Sequence, residues 1–168
     1  THAFNLAEYI SGLEVAELCA NLNVVVENRA LDDDGAVLLK FNSGASGVLI
    51  ATQVAAGEEN NLSIRIYGEL GGIEWHQQEP NSLLLKWYDK PMETLRAGSG
   101  YLSDIGRHNC RTPGGHPEGY LEAFANIYRN FSLTLAARIN GTTVNADVVE
   151  FPSVKEGIRG MAFIENVV

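Results

Sequence analysis

The sequence is short of basic residues: Lys and Arg number 12 against 21 Asp and Glu, for a formal net charge of −9 over 168 residues. Nucleic acid and anionic membrane surfaces are met by basic faces, so neither is expected as a main partner. No apolar run approaches the ~20 residues of a membrane-spanning helix, so no membrane span is expected. No basic stretch precedes an apolar one at the start, so no signal peptide is expected either. Cysteine is scarce, with only Cys19 and Cys110. Two cysteines do not build a disulfide scaffold in a domain this size; we read them as reduced thiols and the chain as cytoplasmic. CxxC and HExxH are missing, and His2, His76, His108 and His116 show no close ligand spacing, so no metal site is predicted. "DDDG" at Asp32–Gly35 lacks the alternating ligands and closing Glu of a calcium loop and reads as an acidic turn between strands. There is no P-loop and no GxSxG elbow. "GSGYLS" at Gly98–Ser103 has two of the three glycines of a dinucleotide fingerprint. It lacks the strand before, the helix after and the distant acidic residue, so no cofactor is predicted to bind here.

What the sequence does have is a series of short strand-like runs. "NVVVEN", "GAVLLKF", "GVLIATQVA", "LSIRIYG", "GIEWHQ" and "SLLLKWY" alternate with turn chemistry between Asn23 and Tyr88. No helix-length segment separates them, as parallel crossovers would require, so a mostly antiparallel sheet follows. "LEVAELCANL" is ambiguous between helix and strand, and we read a strand starting near Val15. Residues 89–115 are irregular, the kind of long connection that is usually functional or mobile.

Three helices are predicted. The first, "HAFNLAEYIS", ends at Gly12 as its cap. The second starts at Pro117, with Leu121, Phe124, Tyr128, Phe131 and Leu135 as its inward stripe. Glu122, Asn126, Arg129 and Asn130 then form its wet face. The third starts at Ser153, whose pairing with Glu156 reads as a capping box, and turns Ile158, Met161 and Ala162 inward. The fold class is therefore α+β: an open, mostly antiparallel sheet with helices on one face. The other face should be apolar enough to pair with another subunit.

Candidate site residues cluster in "RTPGGHPEGYLEAF", Arg111–Phe124. Gly114 and Gly115 allow close backbone approach or positive φ, and the free N–H groups of a helix start favour a ligand oxygen. Arg111 adds a donor, although a turn with His116 as cap or packing residue explains the glycines equally well. Trp75 and Gln77 are placed on one strand face and His76 and Gln78 on the other, with Trp75 read as packing and Gln77 raising the odds of a ligand-facing surface. Asp104 and His108 have relay-like spacing but no second anchor, and are left out of the site.

"THAFNLAEYISGLEV" resembles the segment that follows the catalytic Asp in the Gfo/Idh/MocA family, whose D-x-G-[ST]-H motif would end here at Thr1 and His2. "DDDGAVLLKFNSGASGVLIATQVAAGEENNLSIRIYGELGGIEW" is similar to the family's C-terminal sheet. "QEPNSL", "RTPGGHPEGYLEAFANIYRNF" and "FPSVKEGIRGMAFIENVV" resemble the later part of a sugar-dehydrogenase subgroup. The resemblance covers nearly the whole chain and implies a single C-terminal domain over residues 1–168. It also implies a separate N-terminal Rossmann domain, absent here, that binds NAD or NADP and supplies a catalytic Lys. With Thr1 rather than Met at its head, the chain is read as cut from a longer one. The implied function is hydride transfer between a sugar or polyol and NAD(P) in a homo-oligomer joined through the open sheet face. His2 is the catalytic residue the resemblance assigns; His116, Arg111 and Tyr120 are the substrate-hydroxyl contacts. The fragment alone is expected to be inactive. The competing readings are a free-standing, non-catalytic sugar-binding or scaffold domain, and a relative that hydrolyses or eliminates through transient oxidation.

Overall fold

Helix α1 (His2–Ser11) stops where the sequence stops it: Gly12 takes the left-handed conformation, φ 67°, and donates its N–H to the Glu8 carbonyl. Its ambiguous sequel is strand β1 (Val15–Asn23), followed by β2 (Asp34–Phe41) and β3 (Ser46–Thr52) in an antiparallel sheet of order β1-β2-β3. The computed structural model describes all residues, Thr1–Val168, and divides into a first unit, residues 1–64 with 154–168, and a second, residues 65–153.

In the first unit α1 and the C-terminal helix, α4 (Val154–Val167), cover one face of this sheet. Phe4 and Phe163 stack with centroids 4.3 Å apart, over Val37 and Leu39. The inward face of α4 is Gly160, Phe163 and Val167. Ile158, Met161 and Ala162, expected inward, are exposed. The reason is Arg159, next to that inward row. It forms a two-pronged ion pair with Glu8 of α1, at 2.7 and 2.5 Å, which fixes the rotation of the helix. Partial burial alone would raise the Glu8 carboxyl; the bonds from Arg159 and the Val15 N–H outweigh it and hold the carboxyl below its ordinary value.

"NVVVEN" does not extend the strand. β1 ends at Asn23 because the buried Asp33 carboxylate accepts the N–H groups of Val25 (2.7 Å) and Val26 (3.1 Å), drawing them away from the ladder. Asn28 then turns back at φ 66°. The acidic turn thus serves as a strand stop. On the sheet face away from the helices, Leu38, Val48 and Ile50 are 60%, 63% and 69% exposed.

The second unit holds the sheet β4-β5-β6-β7: β4 (Ser63–Tyr67, whose first residues lie in the first unit), β5 (Gly71–His76), β6 (Ser82–Trp87) and β7 (Glu93–Arg96). The α+β class and the antiparallel pairing hold, but the strands form two sheets rather than one. The stretch read as irregular contains β7 and a short helix, α2 (Asp104–Asn109). Four residues are too few to show alternation. Gly106 in the middle of α2 masked a helix that Ser103 caps from its side chain.

The long helix of the second unit is α3 (Tyr120–Ile139). α3 begins three residues after Pro117 and is turned the opposite way from the prediction. Asn130, assigned to the wet face, is 1% exposed, whereas Leu121 is 75% and Leu135 45% exposed. Its polar face bonds backbone carbonyls: Asn126 donates to the Asn109 carbonyl (2.6 Å) and Asn130 to the Glu150 carbonyl (2.8 Å). The Asn130 amide, buried on this face, must be paired, and that pairing sets the helix rotation over the pull of its apolar stripe.

Candidate functional site

His2 is the first residue of α1 and exposed, and its side chain makes no hydrogen bond or ion pair. It is carried on a helix that Phe4, Glu8 and Arg159 lock to the first unit. Arg111, His116 and Tyr120 belong to the second unit and share one short segment before and at the start of α3.

That segment is a fastened loop. One carboxylate oxygen of Glu118 accepts the N–H of Arg111 (2.5 Å), the N–H of Thr112 and the Thr112 hydroxyl (2.8 Å). Asn81, in the β5–β6 turn, donates its amide to the Glu118 carbonyl (2.8 Å) and accepts the Glu118 N–H (3.1 Å), as a paired strand residue would. Gly114 lies so close to Gly98 that a Cβ on Gly98 would stand 2.8 Å from the Gly114 nitrogen, and Gly115 takes φ 87°. The two glycines thus do the two different things glycine allows. His116 sits at the tip, exposed, its N–H 3.1 Å from the Pro113 carbonyl and Nδ1 3.2 Å from the same oxygen.

Arg111 donates from Nε to the Asn126 side-chain oxygen (2.8 Å). Partial burial, then the nearby Arg111 charge, pulls the Arg129 guanidinium below its ordinary value. Tyr120 packs on Phe124, centroids 4.8 Å apart, and stays 71% exposed. The Glu122 side chain accepts the Gly119 N–H (2.9 Å), the bond that starts α3 and the largest cause of its lowered carboxyl. Neither Glu118 nor Asn81 was legible as a site residue. Glu118 looks like any acid before a helix, and Asn81 like any residue of a Pro-Asn turn.

Other candidates are absorbed by structure. β5 ends at His76, so Gln77 and Gln78 lie in the turn and share no strand face with Trp75, whose indole N–H donates to the Pro80 carbonyl (3.1 Å). Asp104 pairs with Arg107, while His108 Nε2 bonds the Asn130 side-chain oxygen (2.9 Å); they form no relay. The glycine stretch at Gly98–Ser103 does not fit a dinucleotide. It follows an antiparallel strand, leads into a six-residue helix, and spends the Gly98 N–H on Cys110 Sγ (3.2 Å). No group of His, Cys, Asp and Glu is gathered as a metal would need, and no helix is long and apolar enough to cross a membrane.

Glu74 on β5 is the most strongly perturbed acid. Hydrogen bonds from Lys86 and then from His76 Nε2 (2.8 Å) lower its carboxyl from 4.5 to about 2. A lowered folded-state value contributes stability that is present above the ordinary value and is lost as pH falls through the folded one. Between about pH 4.5 and about pH 2, stability should therefore fall more steeply in the wild type than in Glu74→Gln. Urea midpoints across that range test this, and parallel pH profiles would refute it.

Residues 1–74 match the family model described as the GFO/IDH/MocA C-terminal domain. An oxidoreductase of known structure from Sinorhizobium meliloti superposes with TM-score 0.92 at 40% identity, over 99% of this chain and 46% of that one. Over residues 1–74 the chain carries the C-terminal domain of the Gfo/Idh/MocA family. It is 32% identical over 170 residues to the uncharacterized oxidoreductase YfiI of Bacillus subtilis (strain 168), covering all of this chain and 43% of YfiI. An inositol dehydrogenase homolog from Azotobacter vinelandii, solved with NADH and myo-inositol, is similar at 28% identity and TM-score 0.87, over 98% of this chain and 44% of that one. The chain thus spans less than half the length of these relatives.

Proposed function

We propose that residues 1–168 are the substrate-binding and oligomerisation domain of an NAD(P)-dependent sugar or polyol dehydrogenase. A Rossmann domain elsewhere in the longer protein would hold the cofactor, whose nicotinamide takes up or gives back the hydride of the substrate carbon. The share of this domain is the proton and the positioning: His2 accepts the hydroxyl proton as the hydride leaves, and returns it in reduction. His116, Arg111 and Tyr120 contact the other substrate hydroxyls. Leu38, Val48 and Ile50 supply the apolar face through which a second copy binds.

The observation that carries this reading is an exposed, unpaired imidazole at the head of a locked helix, in a segment that matches the family model from its first residue. The polyol and nicotinamide bound by the Azotobacter vinelandii homolog support the substrate class. The test is to supply the full-length protein with NAD⁺ or NADP⁺ and a panel of polyols and sugars headed by myo-inositol, following reduced cofactor by absorbance. Turnover of at least one panel member is expected, with kcat/KM falling about tenfold in His116→Ala. No turnover across the panel would favour the non-catalytic reading. Turnover with no change in KM or kcat for His116→Ala would remove that residue from the site.

A further inference from the structure

The contact residues lie on a loop, and a loop contributes more affinity when its shape is set before the ligand arrives, because no ordering cost is left to meet on binding. Nothing in the tip itself sets that shape. His116 is exposed, and its bonds return to Pro113 within the same turn. The shape is set from one side chain further on. Glu118 gathers both backbone N–H groups at the start of the loop and the Thr112 hydroxyl, which also lies 3.2 Å from the His116 carbonyl. Through its own N–H and carbonyl Glu118 is paired to Asn81, on the rigid β5–β6 hairpin. The loop is therefore closed at its neck by a carboxylate and moored to the sheet by an amide.

We infer that Glu118 is a positioning residue: it touches no ligand, and it holds residues 111–118 in the one shape that presents His116 and Arg111 to the substrate. This rests on the proposed reading of the site. A charged acceptor suits the task because one oxygen taking three donors gains more from each than a neutral acceptor would. The same geometry needs only the oxygen, however, so glutamine should largely replace it.

The test uses the full-length protein with Glu118→Ala, Glu118→Gln and the double variant Glu118→Ala/His116→Ala. In Glu118→Ala, amide exchange at Arg111 and Thr112 should quicken about tenfold or more. For the best panel substrate KM should rise about tenfold with kcat nearly unchanged, the mark of lost binding that is equal in ground and transition states. Glu118→Gln should restore both. In the His116→Ala background the effect of Glu118→Ala on KM should shrink, because its route to the substrate is already gone. An unchanged KM, a loss confined to kcat, or an undiminished effect in the double variant would overturn the inference. Should Glu118→Ala not fold, Thr112→Val removes only the hydroxyl link, and a smaller KM rise is expected; an unchanged KM there counts against the inference equally. If no panel member is turned over, the reading of the site falls and takes the substrate role with it, while exchange at Arg111 and Thr112 still decides whether Glu118 shapes the loop.

Discussion

Replacing His2 by alanine in the full-length protein is expected, on the proposed function, to lower kcat by about a hundredfold or more while leaving the fold intact. Proton transfer by a positioned side chain contributes about 10²–10⁴-fold, and no other imidazole is available on α1. The side chain makes no hydrogen bond or ion pair within the chain, so stability should change by less than about 0.5 kcal/mol. His2→Asn separates the two things an imidazole can do. It keeps a hydrogen-bonding group but cannot carry the proton, so a fall nearly as deep as that of alanine points to proton transfer. A kcat/KM within about threefold of wild type in His2→Ala would end the catalytic assignment.

Asn130→Leu is the second large effect, and it runs against the usual rule for a buried position. Leucine is close in volume and apolar, at a site only 1% exposed. Yet the asparagine oxygen accepts from His108 Nε2 (2.9 Å) and Arg129 Nε (3.2 Å), and its amide donates to the Glu150 carbonyl (2.8 Å) and the Asn109 side chain (3.4 Å). Those bonds fix the amide orientation, and they require His108 to carry a proton on Nε2. Leucine would leave all four partners without this one, two of them cationic or ring N–H donors. A loss of about 3 kcal/mol is expected from the unsatisfied groups, read as a shift in urea midpoint with little change in slope. A loss below about 1 kcal/mol would mean that water or a neighbour replaces the amide easily.

The same residue shows where reading the sequence stops. The apolar spacing of Leu121, Phe124, Tyr128, Phe131 and Leu135 establishes that α3 is a helix, and it is one. It does not establish which face is inside, because periodicity reports only that two faces differ. The inward face was decided by the amides of Asn126 and Asn130, which find their acceptors at Asn109 and Glu150, 17 and 20 positions away. α4 repeats the lesson on a smaller scale: its start was legible to within a residue, its rotation was not, since Arg159 answers to Glu8, 151 positions away.

By itself the sequence determined the local events: the Gly12 stop of α1, the strands from β2 to β6, the antiparallel class, the loop that carries His116, and the family. Each follows from residues within a few positions of one another, where propensity, capping and turn chemistry act. Only the tertiary structure decided that Asp33 ends β1, that the strands form two sheets, that α3 buries its amides, and that Glu118 and Asn81 hold the loop shut. Most of these turn on a polar group finding a partner beyond its immediate neighbours, from Val25 for Asp33 to Asn81 for Glu118. Buried polar groups must be paired, but the sequence does not say with what.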